Sequence, residues 1–181
     1  MVYILLGAGF EEMEALTPCD LLRRAGIEVS FVGLSGRAVT GGHGITIEAD
    51  CTPDEVDFDA MQMLVLPGGL GGVNSIRDSE AAMALIRRTA EAGKFLTAIC
   101  AAPTILAELG ITDGRRATCH PTMRENMAGA ILLQDAEAVR DGSIITGTSA
   151  GTAIPFALRL IEALKGIEAA EKVAEEIVYR D

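Results

Sequence analysis

The sequence predicts an α/β fold, a doubly wound and mostly parallel sheet with helices on both faces, and three observations carry that prediction. Short, nearly continuous apolar runs recur at Val2–Leu6, Val29–Val32, Met63–Leu66, Phe95–Ile99 and Ile144–Thr146, the pattern of strands buried on both faces. Between them lie segments with apolar residues at helical spacing: Glu11–Ala25, Glu80–Ala92, Pro103–Leu109 and Gly151–Lys165. Gly26, Gly93 and Gly110 stand where three of those helices should stop.

The elements follow in chain order. The apolar opening Met1–Phe10 has no basic flank, so it reads as a first strand and not as an export signal. Glu11, Glu12 and Glu14 suit the first turn of the next helix, where acidic groups meet the positive end of the helix dipole. Pro18 cannot donate to the Glu14 carbonyl and should distort that helix. The segment Gly33–Ala49 scatters glycines among alternating apolar residues, which predicts a small antiparallel hairpin appended to the sheet. The longest apolar stretch, Phe95–Ile111, contains Pro103 and Glu108 and makes a poor bilayer span. After Ala169, charged residues alternate with Val173, Ile177 and Val178 as in an amphipathic terminal helix.

A length of 181 residues fits a single domain spanning 1–181, and 49% hydrophobic residues supply a sizeable core. The net charge of −11 argues against nucleic acid and anionic membrane as partners, since both need a basic surface. With no Trp and 4% aromatics, a base-stacking platform is also disfavoured. The cysteines Cys19, Cys51, Cys100 and Cys119 show no Cys-x-x-Cys spacing, so neither a zinc site nor a disulfide framework is signalled. The expectation is a cytoplasmic protein with no metal and no cofactor, whose partner is a small molecule.

The chemistry concentrates at the carboxyl ends of the strands, where doubly wound sheets bind ligands. At Ala98–Ile99–Cys100–Ala101–Ala102–Pro103 a strand runs into a thiol, small residues and a proline suited to a first helical turn. That is the layout of a nucleophile elbow, whose tight turn needs small neighbours. A buried cysteine ordinarily behaves as a small hydrophobe. Here the position favours the reactive reading, and a helix N-terminus should lower the thiol pKa. The run Pro67–Gly72 lacks the order of a dinucleotide loop and has no Walker lysine. Its glycine amides could instead form an oxyanion site with the Ala101 amide. Glu14, if protonated beside the thiol, would donate a hydrogen bond to the thiolate. Of the two histidines, His120 falls at a plausible strand end and His43 in the Gly-rich hairpin, and a lone histidine is more often structural.

Together, Glu11–Glu12–Met13–Glu14, Leu66–Pro67–Gly68–Gly69, Ala98–Ile99–Cys100–Ala101–Ala102–Pro103 and Thr118–Cys119–His120–Pro121 resemble the ThiJ/PfpI superfamily, most closely its Parkinson-linked deglycase branch. The motifs run in the right order over nearly the whole chain, with Leu22–Arg23–Arg24–Ala25–Gly26–Ile27 between them. The resemblance implies a flavodoxin-like sheet of the class I glutamine amidotransferase kind and a homodimer. It assigns the catalytic cysteine to Cys100, the protonated glutamate to Glu14 and the neighbouring histidine to His120. The backbone donors around the thiol fall on Gly69 and Ala101, with Gly68 adjacent. One departure follows the last strand, where Thr148 and Ser149 stand at positions at which close relatives often carry an arginine or glutamine and Gly-Pro-Gly.

Members of that branch are described variously as glutathione-independent glyoxalases, deglycases of methylglyoxal adducts, oxidative-stress sensors or chaperones, and sometimes proteases. A fold hosts many functions, so the site must decide. A thiolate, an acid and an oxyanion pocket suit attack on a small aldehyde or dicarbonyl, with methylglyoxal converted to lactate. The alternative is a redox sensor working by oxidation of Cys100.

Overall fold

The computed structural model describes residues 1–180. Its chain order is β1 (Val2–Leu6), α1 (Glu12–Arg24), β2 (Val29–Gly33), β3 (Ala38–Thr40), β4 (Thr46–Glu48), β5 (Met63–Leu66), α2 (Leu70–Asp78) and α3 (Glu80–Glu91). It continues through β6 (Phe95–Ile99), α4 (Pro103–Glu108), β7 (Arg116–Ala117), β8 (Ile131–Leu132), β9 (Ala138–Asp141), β10 (Ile144–Gly147), α5 (Ala153–Lys165) and α6 (Ile167–Glu176). The central sheet has the order β2-β1-β5-β6-β10-β9. Neighbours pair in parallel except at the edge, where β9 runs antiparallel to β10. The expected α/β architecture, flavodoxin-like and doubly wound, is the one observed.

Alternation along β1 explains the two layers of helices. Val2, Ile4 and Leu6 face a core with Leu22 of α1, Phe156 and Leu160 of α5, and Val173 of α6. Tyr3 and Leu5 face the opposite core with Val73 and Ile76 of α2, Ile86 of α3 and Ile105 of α4. Both faces of the strand are thus buried, which is why the run is apolar throughout. Full burial of a side chain such as Phe156 contributes about 2–3 kcal/mol relative to exposure.

Four elements depart from the sequence expectation. Helix α2 opens inside the glycine run Pro67–Gly72, where no helix is expected because Gly71 and Gly72 have low helix propensity. They are needed where α2 crosses the loop after β1: a Cβ at Gly72 would lie 2.7 Å from the Phe10 Cα. The antiparallel hairpin β3–β4 exists, but as its own two-stranded sheet outside the central one. Helix α1 runs without interruption to Arg24 despite Pro18, and it begins at Glu12, with Glu11 as its N-cap residue. Helix α6 begins before Ala169 and stops at Glu176, leaving Val178 exposed in a left-handed backbone. Among the described residues, no helix is long and apolar enough to cross a membrane.

The sheet order reverses at β1, with β2 on one side and β5 on the other, so a crevice opens above the carboxyl ends of β1, β5 and β6. The three segments leaving those strands carry Glu14, Gly68–Gly69 and Cys100.

Candidate functional site

Cys100 is held at φ 66°, a left-handed conformation that costs an ordinary residue about 1–2 kcal/mol. Only one other non-glycine residue among those described, Val178, has a positive φ. The surrounding hydrogen bonds impose the turn. The Cys100 N–H donates to Gly147 O at 3.0 Å, and the Ala102 N–H closes back on Ile99 O at 3.1 Å. Buried Ala98 and Ala102 flank the elbow, and Pro103 starts α4 where no backbone donor is needed. The sequence prediction of a strained strand-to-helix turn at Cys100 matches this geometry.

Glu14 reaches the same point from α1. It is fully buried, and its Oε2 accepts the Gly68 N–H at 2.8 Å. Its Oε1 has no conventional hydrogen-bond partner; the groups turned toward this carboxyl are the Cys100 thiol and the Ala150 amide. Gly68 is the hinge of the arrangement, since a Cβ there would sit 2.5 Å from Glu14 Oε2 and 2.7 Å from the Cys100 Cβ. Only glycine lets acid and thiol approach this closely.

Burial pushes Glu14 up to about 7, more than the contacts with Cys100 and Gly68 lower it. Burial first, and then the charge and hydrogen bond of Glu14, push the thiol up to about 12, although the Ala101 and Gly69 amides aimed at sulfur work the other way. The two groups form one unit that carries a single negative charge between those limits. This corrects the expectation that helix placement alone would lower the thiol pKa. Helix α4 has only six residues and begins three positions beyond Cys100, so its dipole is outweighed by desolvation and the carboxyl.

The donors separate as well. Gly69 and Ala101 turn their amides toward sulfur, whereas the Gly68 amide holds Glu14 and is not a donor to the thiol. His120 shares the pocket with Cys100: its N–H donates to Cys100 O at 2.8 Å, while its Nδ1 pairs with Thr122 Oγ1 at 2.8 Å. The pocket encloses about 220 Å³ and is lined by Glu11, Gly69, Leu70, Cys100, Ala101, His120, Thr122 and Met123. Thr148 lies outside this lining, its hydroxyl bonded to Ala136 O at 2.6 Å and paired with the Thr118 hydroxyl. Cys19 and Cys119 are buried, and Cys51 is half-buried.

A neighbouring corner escaped the sequence reading. Glu12 is 5% exposed and draws in the β3–β4 loop: His43 N–H donates to Oε1 at 2.7 Å, and His43 Nδ1 lies 2.9 Å from Oε2. Glu11 Oε2 is 3.6 Å from the same Nδ1. The three ligand-type atoms lie within 4.8 Å of one another. No spacing rule links position 43 to positions 11 and 12; only the fold of the hairpin over α1 does.

Residues 1–163 match the family model described as DJ-1/PfpI. The chain belongs to the DJ-1/PfpI family. It is 38% identical over 177 residues to protein dj-1beta of Drosophila melanogaster, covering 97% of this chain and 95% of the relative. It is 34% identical over 166 residues to a deglycase of Thermococcus kodakarensis, covering 91% of this chain and 99% of that one. The crystal structure of Drosophila melanogaster DJ-1beta superposes with a TM-score of 0.94 at 37% identity, covering 99% of this chain and 98% of that one. The DJ-1/PfpI assignment agrees with the ordered motifs around Glu14, Gly68, Cys100 and His120, and relatives of this family include a protein named as a deglycase.

Proposed function

We propose that this DJ-1/PfpI protein is a cysteine-dependent enzyme acting on small reactive dicarbonyls, with Cys100 as nucleophile, Glu14 as its proton partner and His120 as a second proton carrier. The observation that carries this reading is the pairing of buried Glu14 with half-buried Cys100 at a pocket where two amides turn toward the sulfur. A volume of about 220 Å³ is below the roughly 300 Å³ at which pockets for drug-sized ligands begin, and it suits a substrate of a few carbons.

Near neutral pH the unit holds one proton and one charge. Transfer of the proton to Glu14 leaves the thiolate, which attacks the aldehyde carbon of methylglyoxal and forms a C–S bond. The carbonyl oxygen takes a proton to give a hemithioacetal, with Gly69 and Ala101 placed to stabilise developing negative charge. A proton then moves from that carbon to the neighbouring one, by way of an enediol, carried by Glu14 or His120. The resulting thioester is hydrolysed by water, releasing lactate and restoring the thiol. In a protein adduct the aldehyde carbon is already bonded to a side-chain nitrogen or sulfur, so the C–S bond to Cys100 would form as that bond breaks and the freed side chain leaves with a proton; the small pocket favours the free dicarbonyl.

An oxidisable thiol alone, as in the redox-sensor reading, has no need of a shaped pocket with an acid and paired backbone donors. The shaped pocket therefore favours turnover over oxidation sensing. The test is conversion of methylglyoxal to lactate by the pure protein without glutathione or added metal. Wild type should turn over and Cys100→Ser should not; equal rates in the two would remove the cysteine from the mechanism.

The same reading includes a homodimer built near the outer face of α1. Met13 is 53% exposed there, and Leu16, Ile154 and Ile177 line a shallow groove beside it, although Leu21 of the same stripe belongs to the core. Light scattering across micromolar concentrations should give twice the chain mass; a monomer throughout would remove the dimer.

A further inference from the structure

Resting on the reading of Cys100 as a nucleophile toward small carbonyls, we propose that Glu11 is a specificity-determining residue that admits neutral carbonyl compounds to the pocket and rejects anionic ones such as 2-oxo acids. Among the residues lining the pocket, Glu11 carries the only carboxylate, and none is Lys or Arg. Thr148 lies outside that lining, with its hydroxyl turned to Ala136 O.

The backbone fixes where the Glu11 carboxylate stands. As the N-cap residue of α1 it has extended dihedrals, and its N–H donates to Gly68 O at 3.1 Å. Its side chain is thus rooted in the loop that also supplies the Gly69 amide to the sulfur. His43 lies 3.6 Å from Glu11 Oε2 and 2.9 Å from Glu12 Oε2, so even with its ring protonated one positive charge is shared between two carboxylates and the trio stays net negative. An incoming anion therefore meets the Glu11 carboxylate and the single charge of the Glu14–Cys100 unit, within a chain of net charge −11. For like charges ~6 Å apart at an effective dielectric of ~40, the repulsion amounts to about a tenfold loss of rate. Leu70, 63% exposed, and Met123 form an apolar wall for a short alkyl end. The same carboxylate acts on the product: a neutral dicarbonyl enters, a 2-hydroxy acid anion forms, and its departure is favoured.

Alkylation of Cys100 with iodoacetamide and with iodoacetate tests this, since the reagents are close in size and differ in charge. The iodoacetamide-to-iodoacetate rate ratio should exceed that of a neutral model thiol by about tenfold or more, and added salt should narrow it. Glu11→Gln should lower the ratio about tenfold. Glu168→Gln, the same charge change on exposed α6, should leave it in place. A ratio unchanged in Glu11→Gln, or lowered equally by both variants, would overturn the role of Glu11, as would a wild-type ratio equal to that of the model thiol. Alkylation requires no turnover, so failure of methylglyoxal conversion would count against the enzymatic reading alone.

Discussion

Glu12 and Glu14 stand two residues apart in the first turn of α1, both are buried, and they titrate in opposite directions. Burial raises both. At Glu12 it is outweighed by the His43 side chain together with backbone amides that include those of His43 and Ile45, so this carboxyl stays below its usual range. At Glu14 the Gly68 amide is the one conventional donor, and burial wins. Depth does not decide protonation; the number of donors that replace water does. One corner is a satisfied structural latch between α1 and the β3–β4 loop, and the other leaves a carboxyl able to hold a proton against a thiol.

The comparison can be broken most forcefully by turnover. Glu14→Gln keeps a donor of similar shape but cannot carry a proton, so methylglyoxal conversion should fall by about 10²-fold or more. Glu12→Gln, outside the pocket lining, should keep turnover within a few-fold of wild type. Steady-state rates at neutral pH decide between them, and equal losses in the two variants would erase the distinction.

Stability against pH sharpens it next. Glu14 rises from 4.5 unfolded to about 7 folded, so the native state binds the extra proton in that window. Its contribution is fully present below pH 4.5 and is lost as pH rises through about 7. At about 1.4 kcal/mol per pH unit this is about 3 kcal/mol. Denaturant titrations should show that the difference between wild type and Glu14→Gln falls with rising pH across the window. Glu12 has the opposite sign: its folded value is lowered, so its stabilisation is present above 4.5 and is lost as pH falls. Glu12→Gln should remove that acid-side loss and cost about 1.5–3 kcal/mol at neutral pH, the usual range for a hydrogen bond to a charged group.

The difference between the corners also marks what was legible in the sequence. Strands buried on both faces leave apolar runs, and all five proposed runs are strands of the central sheet. The elbow at Cys100 was legible because strand, small residues and proline are consecutive. Glu14 was legible through its place beside the other motifs of the DJ-1/PfpI family. The Glu12–His43 latch was not, because it depends on how a glycine-rich hairpin folds over α1. Helix α2 was hidden by Gly71 and Gly72, which serve close packing at the expense of helix propensity. The direction of the thiol was misjudged for a related reason: position along the chain reveals a helix start, whereas desolvation and the facing carboxyl exist only in three dimensions.

The central claim is that Cys100 and Glu14 titrate as one unit, and the pH dependence of Cys100 alkylation by iodoacetamide tests it most directly. In wild type the rate should rise through an inflection near pH 7, where the shared unit loses its first proton, level off, and rise again toward pH 12. In Glu14→Gln the inflection near 7 should vanish and a single ionisation should replace the two steps. Peptide mapping should place the label on Cys100, which lines the pocket and can pass its proton to Glu14, ahead of Cys19, Cys51 and Cys119, none of which lines it. Identical profiles in wild type and Glu14→Gln, or a wild-type profile with no inflection near pH 7, would contradict the shared proton and with it the mechanism.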